Sequence, residues 1–139
     1  MKKRIISFVI VMVSVFVFCS CGKDEKVLIT EWPADAFDFM AGIPEYKGEQ
    51  YTAEISRDYE TVSIYYKEAS LDSVHAYIKE LENFGLVENI STNIVDGKFH
   101  WMSKLAEGEL FAEIMWYDTE YELVSESYKY GLVIKFAEF

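Results

Sequence analysis

The chain is short of the residues that covalent stabilisation and catalysis draw on. In 139 residues it has two cysteines, Cys19 and Cys21, two histidines, His75 and His100, and two prolines, Pro33 and Pro44. Both cysteines fall within the first 21 positions, so no disulfide ties the rest of the chain, and no cysteine there serves as a nucleophile. The histidines stand in no HExxH or similar spacing, which leaves a histidine metal site or a hydrolytic triad without a motif. Stability therefore has to come from an apolar core, and aromatic residues at 17% of the chain supply bulk for one.

Long apolar runs are also missing. The longest apolar segment, residues 5–18, is about 21 Å as a helix at ~1.5 Å per residue, against ~30 Å for a hydrocarbon core. It is short for a membrane span. Basic residues are scarce once the first four positions are passed: of 13 Lys and Arg, Lys2, Lys3 and Arg4 lie there, leaving 10 against 24 acidic residues, a net charge of −14. Such a surface repels nucleic acid and anionic headgroups, so no nucleic-acid partner is expected.

What is present begins with an address. Three cations, the apolar segment and Phe18-Cys19-Ser20-Cys21-Gly22 form the pattern of a bacterial lipoprotein signal peptide, with small residues on either side of Cys21. Phe18 stands where that pattern more often has Leu. The reading predicts a signal peptide over 1–20, a lipidated Cys21 with a linker over 21–30, and a single domain over 31–139. It places the protein on the outer face of the cell membrane, extracytoplasmic and held by a palmitate-type acyl anchor. Two or more acyl chains are needed for a stable anchor. A nine-residue linker reaches roughly 15 to 18 Å at ~5 to 6 Å × √n, which keeps the domain close to the bilayer.

Along the domain, residues 32–42 read as a short helix, with Pro33 at its first position, Asp35 near its positive end and Gly42 at its stop. Residues 51–56 and 61–67 alternate as a hairpin turning through 57–60. A two-residue loop at Arg57-Asp58 sets Ala53 opposite Val62 and Tyr51 opposite Ile64. Residues 70–84 form the main helix, capped by Ser70 and stopped by Gly85, with Leu71, Val74, Tyr77, Ile78, Leu81 and Phe84 on an arc of about 140°. Asp96-Gly97 and Glu107-Gly108 mark hairpins. The second sets Phe99 against Trp116, Trp101 against Ile114 and Leu105 against Leu110, one apolar face. The other face pairs His100 with Met115, Met102 with Glu113 and Lys104 with Phe111, a mixed surface. A last strand over 128–137 points Tyr130, Leu132, Ile134 and Phe136 inward. The fold class expected is α+β: one main helix packed on a curled antiparallel sheet, with a short N-terminal helix.

The leader, Trp32-Pro33 soon after the anchor, a segment ending Ile43-Pro44, then hairpin, helix and strands resemble a family of small uncharacterised lipoproteins of Gram-positive gut bacteria. That resemblance implies an anchored domain and no assigned activity. A helix followed by an antiparallel meander is also similar in outline to cystatin-like domains, but the Gln-Val-Gly inhibitory signature is missing, so inhibition does not carry over.

For function, two classes compete. One is a non-enzymatic binding or accessory module that contacts another surface protein or a glycan, with Trp32, Tyr65 and Tyr117 as surface aromatics and the mixed sheet face or the acidic stretch as contact. The other is a carboxylate-dependent hydrolase, which needs a deep pocket around two carboxyls. Asp118, Glu120, Glu122 and Glu126 are the weak metal candidates, since calcium takes several oxygen ligands. They lack the glycine and ligand order of an EF-hand, so a solvated acidic loop is expected, with no cofactor and no metal.

Overall fold

The computed structural model describes residues 27–95, 97–118 and 131–138. The sheet defines the class. Seven strands, β1 (Val27–Ile29), β2 (Gln50–Ser56), β3 (Thr61–Tyr66), β4 (Glu88–Val95), β5 (Lys98–Lys104), β6 (Leu110–Tyr117) and β7 (Leu132–Glu138), form one sheet in the order β1-β2-β3-β7-β6-β5-β4, and each adjacent pair is antiparallel. Six are long and β1 is a three-residue edge strand. Among the described residues one α-helix, α1 (Leu71–Phe84), accompanies them. The expected α+β arrangement of a main helix on a curled sheet is thus corrected to a mostly β fold with a single helix.

The short N-terminal helix is absent as well. Its place is taken by tight turns, with the Ala34 N–H donating to Trp32 O and the Ala36 N–H to Pro33 O, and by a 3-10 turn at Asp38–Met40. A segment of that length cannot hold itself helical in water, and Pro33 and Gly42 punctuate a turn as readily as a helix. Gly42 does take the left-handed conformation, at φ +80. Met40, Ile43 and Tyr46 still reach the core, and Phe37 stacks on Phe39 at 5.1 Å. Among the described residues the sheet begins at Val27, where β1 pairs with β2.

α1 forms as its sequence dictates. The Ser70 Oγ accepts the Ser73 N–H at 3.2 Å, Gly85 stands at φ +129, and the Leu86 N–H donates to Leu81 O at 3.0 Å, which closes a Schellman stop. Val74, Tyr77, Ile78 and Leu81 are buried, while Leu71 is half-buried and Phe84 is 36% exposed, so the apolar arc is narrower than the sequence suggests.

Register sorts the sheet into two faces. On the inner face one row runs Ala53, Ile64, Ile134, Ile114, Trp101 across five strands, all buried. The side chains that α1 and residues 40–46 bury join this same core, with Tyr46 edge-on to both Tyr66 and Tyr77. Polar groups inside are satisfied: the Tyr77 hydroxyl donates to Pro44 O at 2.8 Å and Ser103 Oγ to Leu86 O at 3.0 Å. Burial pushes the Tyr66 and Tyr77 hydroxyls well above the usual tyrosine range, with Glu45 adding to it.

That shift sets an alkaline limit. Above about pH 10 the unfolded chain releases these two phenolic protons and the folded chain keeps them, so stability is flat below that point and falls as pH rises beyond it. Urea unfolding at pH 9, 10 and 11 should show a decline that is shallower in Tyr77→Phe. An identical slope in the variant would show that Tyr77 does not contribute.

Candidate functional site

The opposite face of the sheet is the mixed surface read from the hairpin. Register places Glu54, Ser63, Lys135, Glu113 and Met102 in one row across β2, β3, β7, β6 and β5. The adjoining row is Tyr65, Val133, Met115 and His100. These pairings put Glu113 between Lys135 and Met102, with His100 beside it. The His100 Nε2 lies 2.8 Å from Glu113 Oε1, the two side chains being 30% and 18% exposed. The Tyr65 hydroxyl donates to Glu54 Oε2 at 3.4 Å, and the Tyr117 hydroxyl rests 3.8 Å from Met115 Sδ. Toward the other end, Phe111 is half-buried, and Lys104 Nζ meets Glu88 Oε2 at 3.0 Å. A polar strip of both signs therefore crosses a ground of Tyr, Met, Phe and Val.

Two of the three expected surface aromatics, Tyr65 and Tyr117, share this face. Trp32 does not. Its ring packs edge-on to Phe136 at 6.1 Å on the core side, and it borders a cleft of about 560 Å³ lined also by Pro33, Ala36, Ile55 and Arg57. The cleft carboxylates, Glu31 and Asp35, are both exposed. A general acid needs a carboxyl withdrawn from water, and neither meets that condition.

The histidines are kept apart. His75 is on α1 with its ring 5.0 Å from Phe99, an inner-face residue, whereas His100 is on the outer face. Among the described residues no group of three or more potential ligands gathers for a metal. Asp118 is half-buried and its N–H donates to Gly97 O at 2.7 Å; Glu120, Glu122 and Glu126 lie outside the described residues, as does Cys21. Trp101 is buried, and the Trp116 Nε1 donates to Ala69 O at 2.7 Å, so both are committed to the interior.

What pairwise reading missed was the position of Lys135 beside Glu113. The alternation of β7 already turned Val133 and Lys135 away from Leu132 and Ile134; the strand's place between β3 and β6 had no sequence signal. Together these features define a single antiparallel sheet with one covered face and one mixed outer face. Comparison with protein-family models, with curated proteins and with solved structures finds no match to this chain.

Proposed function

We propose that this protein is a lipid-anchored, extracytoplasmic binding or accessory module that contacts another surface protein through the outer face of its sheet. The observation that supports the contact surface is the outer face itself. The large side chains that the described segments outside the sheet bury, those of Met40, Ile43, Tyr46, α1 and Leu86, join the core cluster of the inner side. Tyr and Met around a polar strip suit a protein surface, since interface centres favour aromatic and Met side chains while charges on the strip fix register. The leader and the short tether support the location, and the resemblance to small Gram-positive lipoproteins belongs to the same proposal. Acyl chains, not charge, hold it to the membrane.

The hydrolase reading is not carried forward, because Glu31 and Asp35 stand exposed at an open cleft and Glu113 is engaged by His100. A glycan partner is the lesser alternative, since the Tyr65 and Tyr117 hydroxyls are engaged by neighbours and their rings line a sheet face rather than a groove.

A photo-crosslinking residue at Met115, introduced into the full chain in its native membrane, tests the surface. Adducts with a distinct protein are expected from Met115 and not from Glu80, on the exposed side of α1. Equal labelling from both positions, or none from Met115, would remove the outer face as the contact.

A further inference from the structure

The cleft beside Trp32 lies away from the outer face, and neither function weighed above uses it. Arg57, directly after β2, is the only arginine beyond residue 4 in a chain that carries 24 acidic residues. It lines this cleft together with Asp35, and both side chains are exposed. The two do not pair with each other, and among the described residues neither side chain has another hydrogen-bond or ion-pair partner. A guanidinium and a carboxylate that share a cleft without meeting leave both charges open to an occupant. The Trp32 indole N–H is also without a partner there, whereas that of Trp116 donates to Ala69 O.

Apolar groups supply much of the remaining lining, and they are fixed in place. Pro33 and Ile55 are buried, Ile55 pairs with Val27 on one side and Val62 on the other, and the Trp32 ring is set against Phe136. The volume of about 560 Å³ falls within the ~300 to 1,000 Å³ of small-molecule sites. Charge narrows the occupant. The lining holds one cation, Arg57, and two carboxylates, Glu31 and Asp35, on a chain of net −11. A wholly anionic ligand is repelled by this surface, and a wholly cationic one leaves Arg57 unmatched. A molecule with one charge of each sign and an apolar body matches the whole lining.

We infer that this cleft binds a short apolar peptide with free termini. The peptide carboxylate meets the Arg57 guanidinium, whose planar fork takes a carboxylate through two parallel hydrogen bonds, with the Trp32 indole N–H as a further donor. The peptide ammonium meets Asp35, and the apolar side chains cover Pro33, Ile55 and the Trp32 ring. A single amino acid carries the same charges on a smaller body and fills less of the 560 Å³. A phosphate and ammonium headgroup matches the charges but brings no apolar body to the wall beside them. The site is separate from the protein contact proposed on the outer face, because Trp32 packs on the core side of the sheet.

Calorimetric titration of the full chain in nonionic detergent with the tripeptide leucyl-alanyl-leucine tests this, and should show saturable binding at one site per chain. Acetylating the peptide amine or amidating its carboxylate should each weaken binding about tenfold, the loss of one charge-assisted contact. Triglycine, with the same termini and no apolar side chains, should bind about tenfold more weakly, and so should phosphoethanolamine. Arg57→Gln should weaken the free peptide about tenfold and bind the free and amidated forms alike, while Asp35→Asn should bind the free and acetylated forms alike. Both variants should keep the thermal midpoint, since both side chains are exposed and unpaired. No saturable binding, a blocked peptide as tight as the free one, triglycine or phosphoethanolamine as tight as leucyl-alanyl-leucine, or variants that still tell the blocked forms from the free one would each overturn the site. The Met115 crosslink reads the other side of the sheet, so neither result decides the other.

Discussion

Cys21→Ser is expected to abolish lipid incorporation completely and leave the whole protein as a precursor that still carries residues 1–20. On the proposed anchoring, the Cys21 thiol is the atom that would take the diacylglycerol, and cleavage before it would follow lipidation. Cys19→Ser should change little, because Ser20 and Gly22 flank Cys21 with the small residues the peptidase needs. Labelling cells with a palmitate analogue, followed by a mobility shift, reads both steps at once. Label that persists without Cys21 would disprove the assignment, and with it the anchor in the proposed function.

The second large effect is in the core. Leu81 is fully buried on α1, next to the Schellman stop that brings Leu86, also fully buried, back against it. Leu81→Ala removes three carbons, Cγ and its two methyl groups, from a packed site in the core, so it should cost roughly 2 to 5 kcal/mol. Phe84→Ala, one turn on, should cost far less despite the larger side chain, since Phe84 is 36% exposed. Urea unfolding followed by tryptophan fluorescence, to which the buried Trp101 contributes, gives both values. A loss below about 0.5 kcal/mol for Leu81→Ala would mean that the helix face is misassigned.

How far such readings were legible varies element by element. α1 was plain because Ser70, the apolar arc and Gly85 agree, and the structure differs only at the two ends of the arc, Leu71 and Phe84. The β5–β6 register, Phe99 to Trp116 and Trp101 to Ile114, followed from a glycine turn, and Gly108 does stand at φ +125. The β2–β3 register did not. Ala53 faces Ile64 and Ile55 faces Val62, two positions from the expected pairing, because the turn spans four residues and Glu60 takes φ +48 without being a glycine. A shift of two preserves parity, so the inward set stayed inward. The N-terminal helix failed for a different reason: proline and glycine mark ends without saying what lies between. The outer face was half legible, since Tyr65, Tyr117, His100 and Glu113 follow from alternation, but their meeting across β7 depends on strand order. Periodicity carries no information about strand order.

The central place of β7 bears on when the protein is able to fold. β7 is the last of the described strands in chain order, yet it lies between β3 and β6, and its Leu132, Ile134 and Phe136 are fully buried. Until it arrives, the β2–β3 hairpin and the β4–β5–β6 meander are two pieces with no ladder between them, each with an open edge and half a core. Closing the sheet joins Val62 to Phe136 and Thr61 to Ala137 across most of the chain's length, and long-range closure of this kind is slow. Folding of the sheet as one piece therefore waits for residues 132–138.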